Sequence, residues 1–368
     1  MNLSVGIIGL PGAGKTALFA ALTRQSTSSG RSTTATVPVP DERLTVLETM
    51  FSPKRVVPAG VQFVDVAGLV KGGAQGGGLG GQFLSQLQSV DALAIVLRAY
   101  EMPDIGFGVQ PPQPVEDLES ILLELQLSDL ARIERRLERT SKAARSRDAQ
   151  AQREEKALQA LRDALNEGRS ARSVELAESD LAALKDLGLL TLKPLIFVVN
   201  VSETGLTAAL NPDAVDPEGI RPLLSGIEEA ARANEAEVAV VDAQLESELA
   251  ELDDEDAREY LASLGIAETG LARFIRAAYD ELGLITFLTA GKPEVRAWTV
   301  RRGARAPEAA GVIHSDIERG FIRVEVTPFD KLVEAGGEAK AKELGYMRLE
   351  GKDYVMREGD VVYFRFSV

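Results

Sequence analysis

The residues best suited to chemistry form one early cluster, the run Gly9-Leu10-Pro11-Gly12-Ala13-Gly14-Lys15-Thr16. It follows the apolar run Val5–Ile8, which predicts a buried strand, and precedes Ala17–Leu22, which is typical of the start of a helix. A glycine-rich loop in this setting curls so that its backbone N–H groups point at an anion. Lys15 adds a positive charge for outer phosphates and Thr16 a hydroxyl for Mg²⁺. The predicted phosphate-binding residues are Gly9, Gly12, Ala13, Gly14, Lys15, Thr16 and Ala17.

A second cluster, Asp65-Val66-Ala67-Gly68, comes at the end of the apolar run Val61–Val66. A carboxylate at the end of a strand beside a phosphate loop can hold a Mg²⁺ water, and the Gly68 amide can meet a γ-phosphate. The glycine-rich segment Gly72–Gly81 follows; such a segment has a high ordering entropy, so we interpret it as a nucleotide-sensing switch, the alternative being a plain flexible loop. The predicted catalytic set is Lys15, Thr16, Asp65 and Gly68.

The Ser/Thr-rich stretch Thr27–Thr36 lies between these clusters. One of Thr33, Thr34 or Thr36 is expected to complete the Mg²⁺ shell when a triphosphate is bound. The predicted metal ligands are Thr16, Asp65 and Thr36.

A third cluster, Asn200-Val201-Ser202-Glu203, follows the apolar run Leu195–Val199. GTPases carry Asn-Lys-x-Asp at this place, and the Asp accepts hydrogen bonds from guanine. Here Glu203 replaces that Asp and Val201 replaces the Lys, which predicts weakened guanine selectivity. The segment Asp242-Ala243-Gln244 is expected to line the base pocket through backbone amides. The predicted base-binding residues are Asn200, Val201, Glu203, Asp242, Ala243 and Gln244.

The elements that must position these clusters alternate along the chain. The apolar runs Val5–Ile8, Val61–Val66, Leu93–Leu97, Leu195–Val199 and Val238–Val241, separated by helical patterns, predict an α/β doubly wound fold.

A helical insertion interrupts this pattern, because leucines spaced for a helix over Glu116–Leu187 predict an antiparallel hairpin with a shorter third helix. Its stretch Ala131–Arg147 is rich in Lys and Arg, for which two interpretations stay open: a solvated face with internal ion pairs, or a contact surface for a polyanion.

From Leu284 onwards the chain has five strand-like runs and two helical ones, near Pro307–Ile313 and Lys331–Leu344, which predict a compact α+β module. We therefore predict three domains: a discontinuous domain over 1–115 and 188–280, a helical domain over 116–187 and a C-terminal domain over 281–368.

Composition narrows the function classes. The 368 residues have no cysteine and a single histidine, His314, which excludes thiolate catalysis and makes a His-based metal centre implausible. The net charge of −15 disfavours indiscriminate binding to nucleic acid. There is no apolar run of about 20 residues and no signal peptide, so we expect a cytoplasmic protein without a membrane partner.

Five segments together resemble the YchF or Obg-like ATPase family over essentially the whole chain: Gly9–Thr16, Phe63–Gly72, Asn200–Glu203, Arg296–Val300 and Ile313–Arg323. The resemblance implies a P-loop G domain, an inserted α-helical hairpin domain and a C-terminal β-grasp (TGS) domain. It further implies binding of ATP, with GTP as second choice, together with Mg²⁺, and a ribosome or ribosomal RNA as partner; no DNA is expected.

The chain also departs from that family. Gly12-Ala13 stand where the family usually has Asn-Val, and the first switch is rewritten as Ser26–Thr36. The loop Met102–Gln113 lacks the histidine proposed as catalytic in relatives, and Leu69 stands where Ras-like enzymes have a water-orienting Gln. We expect slow hydrolysis that depends on Lys15, Mg²⁺ and backbone dipoles.

The leading hypothesis is therefore a nucleotide switch that hydrolyses ATP slowly and acts in translation. A hydrolysis-deficient scaffold or RNA-binding adaptor is the first alternative. The second is general nucleic-acid binding through the basic hairpin and the Arg301–Arg305 turn.

Overall fold

A computed structural model of the chain describes residues 3–24, 33–66, 81–104, 108–144 and 148–367. They form two compact units. The larger unit comprises Ser4–Ala35 and Phe63–Ala277, and the smaller unit Met1–Leu3, Thr36–Gln62 and Ala278–Val368. No helix in the described ranges is long and apolar enough to span a membrane.

The strands are β1 (Ser4–Gly9), β2 (Thr34–Pro38), β3 (Val56–Val57), β4 (Gly60–Asp65), β5 (Ala92–Arg98), β6 (Met102–Asp104), β7 (Gly108–Gln110), β8 (Leu195–Asn200), β9 (Glu237–Val241), β10 (Leu284–Thr289), β11 (Val295–Arg301), β12 (Phe321–Pro328), β13 (Arg348–Glu350) and β14 (Asp360–Phe366). The helices are α1 (Lys15–Thr23), α2 (Glu42–Phe51), α3 (Gly81–Ser89), α4 (Pro114–Ala144), α5 (Ala149–Asn166), α6 (Glu178–Leu184), α7 (Glu203–Leu210), α8 (Ile220–Ala233), α9 (Ala243–Leu249), α10 (Asp254–Ser263), α11 (Gly270–Glu281), α12 (Ala306–Ile313), α13 (Ser315–Arg319), α14 (Phe329–Ala335) and α15 (Glu338–Glu343).

The sheet whose strands lead into the predicted nucleotide-binding motifs has the strand order β2-β4-β1-β5-β8-β9. The pairs β1/β5, β5/β8 and β8/β9 are parallel, with Val5 opposite Ala92 and Asn200 opposite Val241. These strands are continuously apolar because helices cover both faces of the sheet and bury the side chains on each side. Phe197 at its centre is completely buried. The predicted doubly wound α/β sheet is confirmed.

The helical insertion consists of α4, α5 and α6. Gln126 Nε2 donates to the Gly168 carbonyl at 3.1 Å, and Arg136 Nε donates to Glu154 at 2.6 Å, so α4 and α5 run antiparallel. Their contact is apolar, with the buried side chains Ile133, Leu137, Leu158, Leu161 and Leu165. The helical hairpin expected from leucine spacing is present.

A buried carboxylate joins this insertion to the sheet. Asp129 of α4 has no exposed surface, and it accepts hydrogen bonds from the Leu190 N–H at 2.8 Å and from the Thr191 N–H and hydroxyl, each at 2.7 Å. Burial raises the pKa of Asp129, although the three donors oppose that shift. Asp129 therefore anchors the chain just before β8 begins.

The smaller unit has a sheet with the strand order β13-β12-β14-β10-β11-β3. Its core contains Phe287, Val324 and Phe364, with the alanines of α12 packed against them. One sequence expectation needs correction. The helical run predicted over Lys331–Leu344 is divided into α14 and α15 at Gly336 and Gly337, whose φ angles are 73° and 145°. In addition, Thr36–Gln62 belongs to this unit.

The predicted three-domain boundaries stay a prediction. The division into two compact units assigns the helical insertion to the larger unit and separates 36–62 from the preceding residues.

Asp129→Ala is expected to lower the free energy of unfolding by about 2 to 4 kcal/mol, because two buried N–H groups lose their acceptor. Denaturant unfolding followed by circular dichroism measures this. The control is Asp163→Ala on α5, where a side chain that is 61% exposed is removed; its expected effect is within about 0.5 kcal/mol. Equal effects of the two changes would contradict the anchoring role.

Candidate nucleotide-binding site

The loop between β1 and α1 depends on three glycines. Gly12 and Gly14 have φ angles of 83° and 86°, in the left-handed region that favours glycine. At Gly9 a Cβ would lie only 2.7 Å from the carbonyl oxygen of Val96. The loop therefore has the glycine-dependent curl that an anion-binding turn needs.

Lys15 and Asp65 meet beside this loop. The Lys15 ammonium forms an ion pair with Asp65 Oδ1, and the two side chains are 17% and 15% exposed. Partial shielding from water makes such a pair stronger than a fully exposed one. Thr16 follows Lys15 in α1. Three of the four predicted catalytic residues thus lie within the described site, and Gly68 lies outside the described residues.

The other predicted switch and metal residues are only partly described. Thr36 lies in β2, in the stretch that belongs to the smaller unit. In the larger unit the Asp65 N–H donates to the Thr33 carbonyl at 2.8 Å. Residues 67–80, with Leu69 and most of Gly72–Gly81, are outside the described residues, as are 25–32. Across the described ranges there is no group of three or more His, Cys, Asp or Glu that could hold a metal ion.

Asn200 connects the phosphate loop with the base motif. Its side chain is 4% exposed at the end of β8; Nδ2 donates to the Ala13 carbonyl at 3.1 Å, and Oδ1 accepts from the Ala243 N–H at 3.0 Å. Both ends of the amide are therefore engaged within the protein. Asn200 holds the loop against the start of α9.

A cavity of about 480 Å³ opens next to this connection. All six predicted base-binding residues line it, together with Gly14 and Ala17 of the phosphate loop. Val201 is 2% exposed at its wall, where the Lys of a GTPase motif would be. The phosphate loop, the Asn200–Glu203 motif and the segment Asp242–Gln244 are thus brought together around one space.

Glu203 is the first residue of α7, and its Oε2 accepts a hydrogen bond from the Tyr260 hydroxyl at 2.9 Å. That hydrogen bond raises the pKa of Tyr260. Sequence reasoning missed Tyr260, since nothing in the spacing of α10 relates it to a residue 57 positions earlier.

Tyr100, also missed, supports the phosphate loop. It follows β5, lines the cavity, and donates from its hydroxyl to the Gly12 carbonyl at 3.0 Å. Burial raises the pKa of Tyr100. The sequence did contain a signal for Tyr100, because it comes just after a central strand. The carboxyl ends of neighbouring parallel strands meet at one edge of the sheet, where ligands bind.

The backbone amides expected to meet the base are already engaged. Ala243 N–H donates to Asn200, and the N–H groups of Gln244 and Leu245 donate to Asp242 Oδ1 at 2.9 and 3.1 Å. Asp242, 6% exposed, is therefore the N-cap of α9.

Glu246 connects α9 with α11. It is 5% exposed, and its Oε1 accepts from the Leu271 N–H at 2.9 Å at the start of α11. Burial raises the pKa of Glu246 from 4.5 to about 7, although the N–H donors of Gly270 and Leu271 oppose the shift. The helix that forms one wall of the cavity is thus held by a buried carboxyl group.

The five basic side chains of α4 fall into two sets. Arg136 pairs with Glu154 and Asp186, and Arg132 donates to the Leu187 and Gly188 carbonyls. Three others are exposed along α4: Arg135, Arg139 and Lys142. Part of the basic stretch is therefore internal structure, and part is available surface.

Comparison with known proteins gives two family matches. Residues 4–127 match a family described as 50S ribosome-binding GTPase, and residues 284–367 match the YchF GTPase C-terminal family, described as a protein of unknown function.

Full-length relatives are also found. The chain is 44% identical to "Ribosome-binding ATPase YchF" of Bacillus subtilis, with 100% of both chains covered. It is 40% identical to the protein of that name from Escherichia coli O157:H7, again over 100% of both. Its structure is similar to that of the Schizosaccharomyces pombe YchF GTPase, with a TM-score of 0.86, 31% identity and coverage of 99% of this chain and 98% of that chain.

Stability should depend on pH through Glu246. Between pH 4.5 and about 7 the folded protein keeps a proton on Glu246 that the unfolded chain has lost. Protonation of Glu246 therefore stabilises the folded state in full below pH 4.5, and this stabilisation is lost as the pH rises to about 7. The free energy of unfolding should decline by on the order of 3 kcal/mol over this range.

Denaturant titrations at several pH values should show this decline in the wild type and in the control Glu248→Gln, which alters an exposed carboxylate of the same helix. Glu246→Gln should remove the part of the decline that Glu246 contributes, while Asp129 and Asp242, whose pKa values burial also raises, keep their own contributions. Parallel pH curves for the wild type and Glu246→Gln would contradict this assignment.

Proposed function

The chain belongs to the YchF family, and from that premise we propose that it binds and hydrolyses ATP with Mg²⁺, and that its nucleotide state controls association with the ribosome. The observation that carries the proposal is the meeting of Lys15 and Asp65 beside a glycine-dependent loop that borders a cavity. Relatives similar over their full length bear the name ribosome-binding ATPase. We propose the cytoplasm as its location.

The phosphates are bound by the backbone N–H groups of Gly12–Thr16 and by Lys15. Lys15 exchanges its contact with Asp65 for the phosphates, which leaves the carboxylate free. Thr16 and Asp65 offer a hydroxyl and a carboxylate, the oxygen donors that Mg²⁺ prefers, so they fit this ion. Mg²⁺ supplies neutralisation of the charge that develops on the phosphate oxygens. Thr36 and Gly68 complete the proposed set.

ATP is the preferred nucleotide in this proposal, with GTP second. Glu203 carries its carboxylate one methylene further than the Asp of a GTPase motif, and it is engaged by Tyr260. The short, buried Val201 cannot extend over a base as a lysine does. Both differences remove contacts on which guanine recognition depends.

Hydrolysis is proposed to be slow. Leu69 cannot orient a water molecule, and the sequence of Met102–Gln113 contains no histidine. What remains is electrostatic stabilisation by Lys15 and the loop amides, which acts on the transferring phosphate without a general base.

The ribosome is the proposed partner, through the helical insertion and the C-terminal β-grasp module. Arg135, Arg139 and Lys142 are the exposed basic residues of α4 and suit the phosphate backbone of ribosomal RNA. Arg132 and Arg136 are excluded from this role, since they are only partly exposed and their guanidinium groups contact other segments of the protein. Arg135 donates only to the Ala131 carbonyl of its own helix, and its side chain remains exposed.

Lys15→Ala is expected to weaken ATP binding by about a hundredfold or more, since a charge-assisted contact to phosphate is lost. Calorimetric titration with ATP, GTP, ADP and GDP in the presence of Mg²⁺ measures it, and single-turnover phosphate release gives the hydrolysis rate. The exposed Lys54→Ala is the control, with unchanged affinity. If the wild type bound none of the four nucleotides at millimolar concentration, the proposed function would be wrong.

The double change Arg135→Glu and Arg139→Glu is expected to reduce ribosome co-sedimentation about tenfold, with the largest effect at low salt. The matched control, Arg162→Glu with Arg169→Glu, reverses two arginines of the insertion that pair with Asp163 and Glu167. Equal co-sedimentation of both variants would remove α4 from the proposed contact surface.

A further inference from the structure

We propose that Asp242 sets the base specificity of this site, because it occupies backbone N–H groups that would otherwise be available to the carbonyl group of guanine. The inference rests on the proposed function, in which the cavity beside Asn200 receives the base. It adds a specificity-determining residue outside the Asn200–Glu203 motif.

The first N–H groups of a helix have no partner within the helix, so they are natural donors for a ligand. At the start of α9 these donors are satisfied by the chain itself. The Ala243 N–H donates to Asn200 Oδ1 at 3.0 Å, and the N–H groups of Gln244 and Leu245 both donate to Asp242 Oδ1. This helix start, which lines the cavity, therefore offers the base none of its first three donors.

The rest of the rim is rich in acceptors. The carboxylates of Glu101, Glu203, Glu218 and Glu248 line the cavity, and its described lining residues include no lysine or arginine. Donors on this rim are themselves engaged: the Ser202 hydroxyl donates to Glu218 at 2.7 Å, and Gln244 Nε2 donates to Glu248 at 3.0 Å. A base that enters this space meets oxygen acceptors.

The two purines differ chemically at position 6, where guanine carries a carbonyl acceptor and adenine an amino donor. Both purines carry donors that an acceptor-rich rim can receive, the 6-amino group of adenine and the N1–H and 2-amino groups of guanine, so the rim alone does not separate them. The carbonyl of guanine gives up its hydrogen bonds to water and finds no replacement at α9, which is unfavourable for a buried polar group. Position 6 is therefore where the site discriminates.

Asp242 acts through acceptor geometry rather than through its charge. The side chain is buried, and burial raises its pKa, with Glu203 and Glu248 adding to that shift. A neutral side chain of the same shape that keeps the Oδ1 acceptor should therefore preserve the discrimination. A residue without a side-chain acceptor should lose it.

The measurement is the ratio of the dissociation constants of GTP and ATP, by calorimetry with Mg²⁺. Asp242→Gly frees two N–H groups and should lower the ratio at least about tenfold through tighter GTP binding. Asp242→Asn keeps the acceptor and should leave the ratio within about twofold of the wild type. Glycine replaces an N-cap residue with little loss of stability, and circular dichroism checks the fold.

The matched control is Asp253→Gly. Asp253 is the N-cap of α10 with the same geometry, accepting from the Glu255 and Asp256 N–H groups at 3.0 Å each, but it does not line the cavity. Asp253→Gly should leave the ratio of the GTP and ATP dissociation constants unchanged.

A second measurement needs no variant. Inosine triphosphate carries the 6-carbonyl of guanine without the 2-amino group, and it should bind the wild type as weakly as GTP. Binding as tight as that of ATP would overturn the inference.

An unchanged ratio in Asp242→Gly would also overturn it, as would an equal shift in Asp242→Asn, which would assign the effect to charge. These outcomes leave the proposed function intact. Failure of the wild type to bind any nucleotide would overturn both.

Discussion

The side-chain amide of Asn200 is the interaction on which the nucleotide site depends. It connects the phosphate loop at Ala13 with the start of α9 at Ala243, and the first of these contacts spans 187 positions of the sequence. The connection also constrains the loop: a Cβ at Gly14 would lie 2.0 Å from Asn200 Nδ2. Gly14 is thus required both by its positive φ angle and by the closeness of this amide.

Charge is distributed so that the two ends of a bound nucleotide are distinguished. The chain has a net charge of −15, and carboxylates line the cavity next to the base motif. On the phosphate side are Lys15 and the N-terminus of α1, whose dipole favours an anion. A triphosphate placed among the carboxylates would be repelled, so this charge distribution favours the orientation of the proposed function, with the phosphates at the loop.

The sequence predicted correctly those elements whose residues lie next to one another along the chain. The strand, the glycine loop and the helix around Lys15 were predictable, as was Asp65 at the end of a strand, because the motifs and their elements are continuous in sequence. The leucine spacing of α4 and α5 was equally local. In contrast, the contacts of Tyr260 with Glu203 and of Glu246 with Leu271 depend on which helices become neighbours, and helical spacing carries no information about partners. The grouping of Thr36–Gln62 with the C-terminal strands could not be predicted either, since a two-residue strand such as β3 has no periodicity that indicates its partner.

A long-range contact also explains how β8 keeps its register in the sheet despite the helical insertion. β5 and β8 are adjacent and parallel, with Leu93 opposite Leu195, although the whole insertion lies between them in sequence. A loop this long contributes little to fixing the register, because the entropy of closing it changes slowly with its length. Asp129 supplies the missing constraint: as a buried acceptor for Leu190 and Thr191, it fixes the chain four residues before Leu195. A one-residue slip of β8 would move Asn200 away from Ala13, so a carboxylate in the insertion helps to maintain the amide contact that joins the phosphate loop to α9.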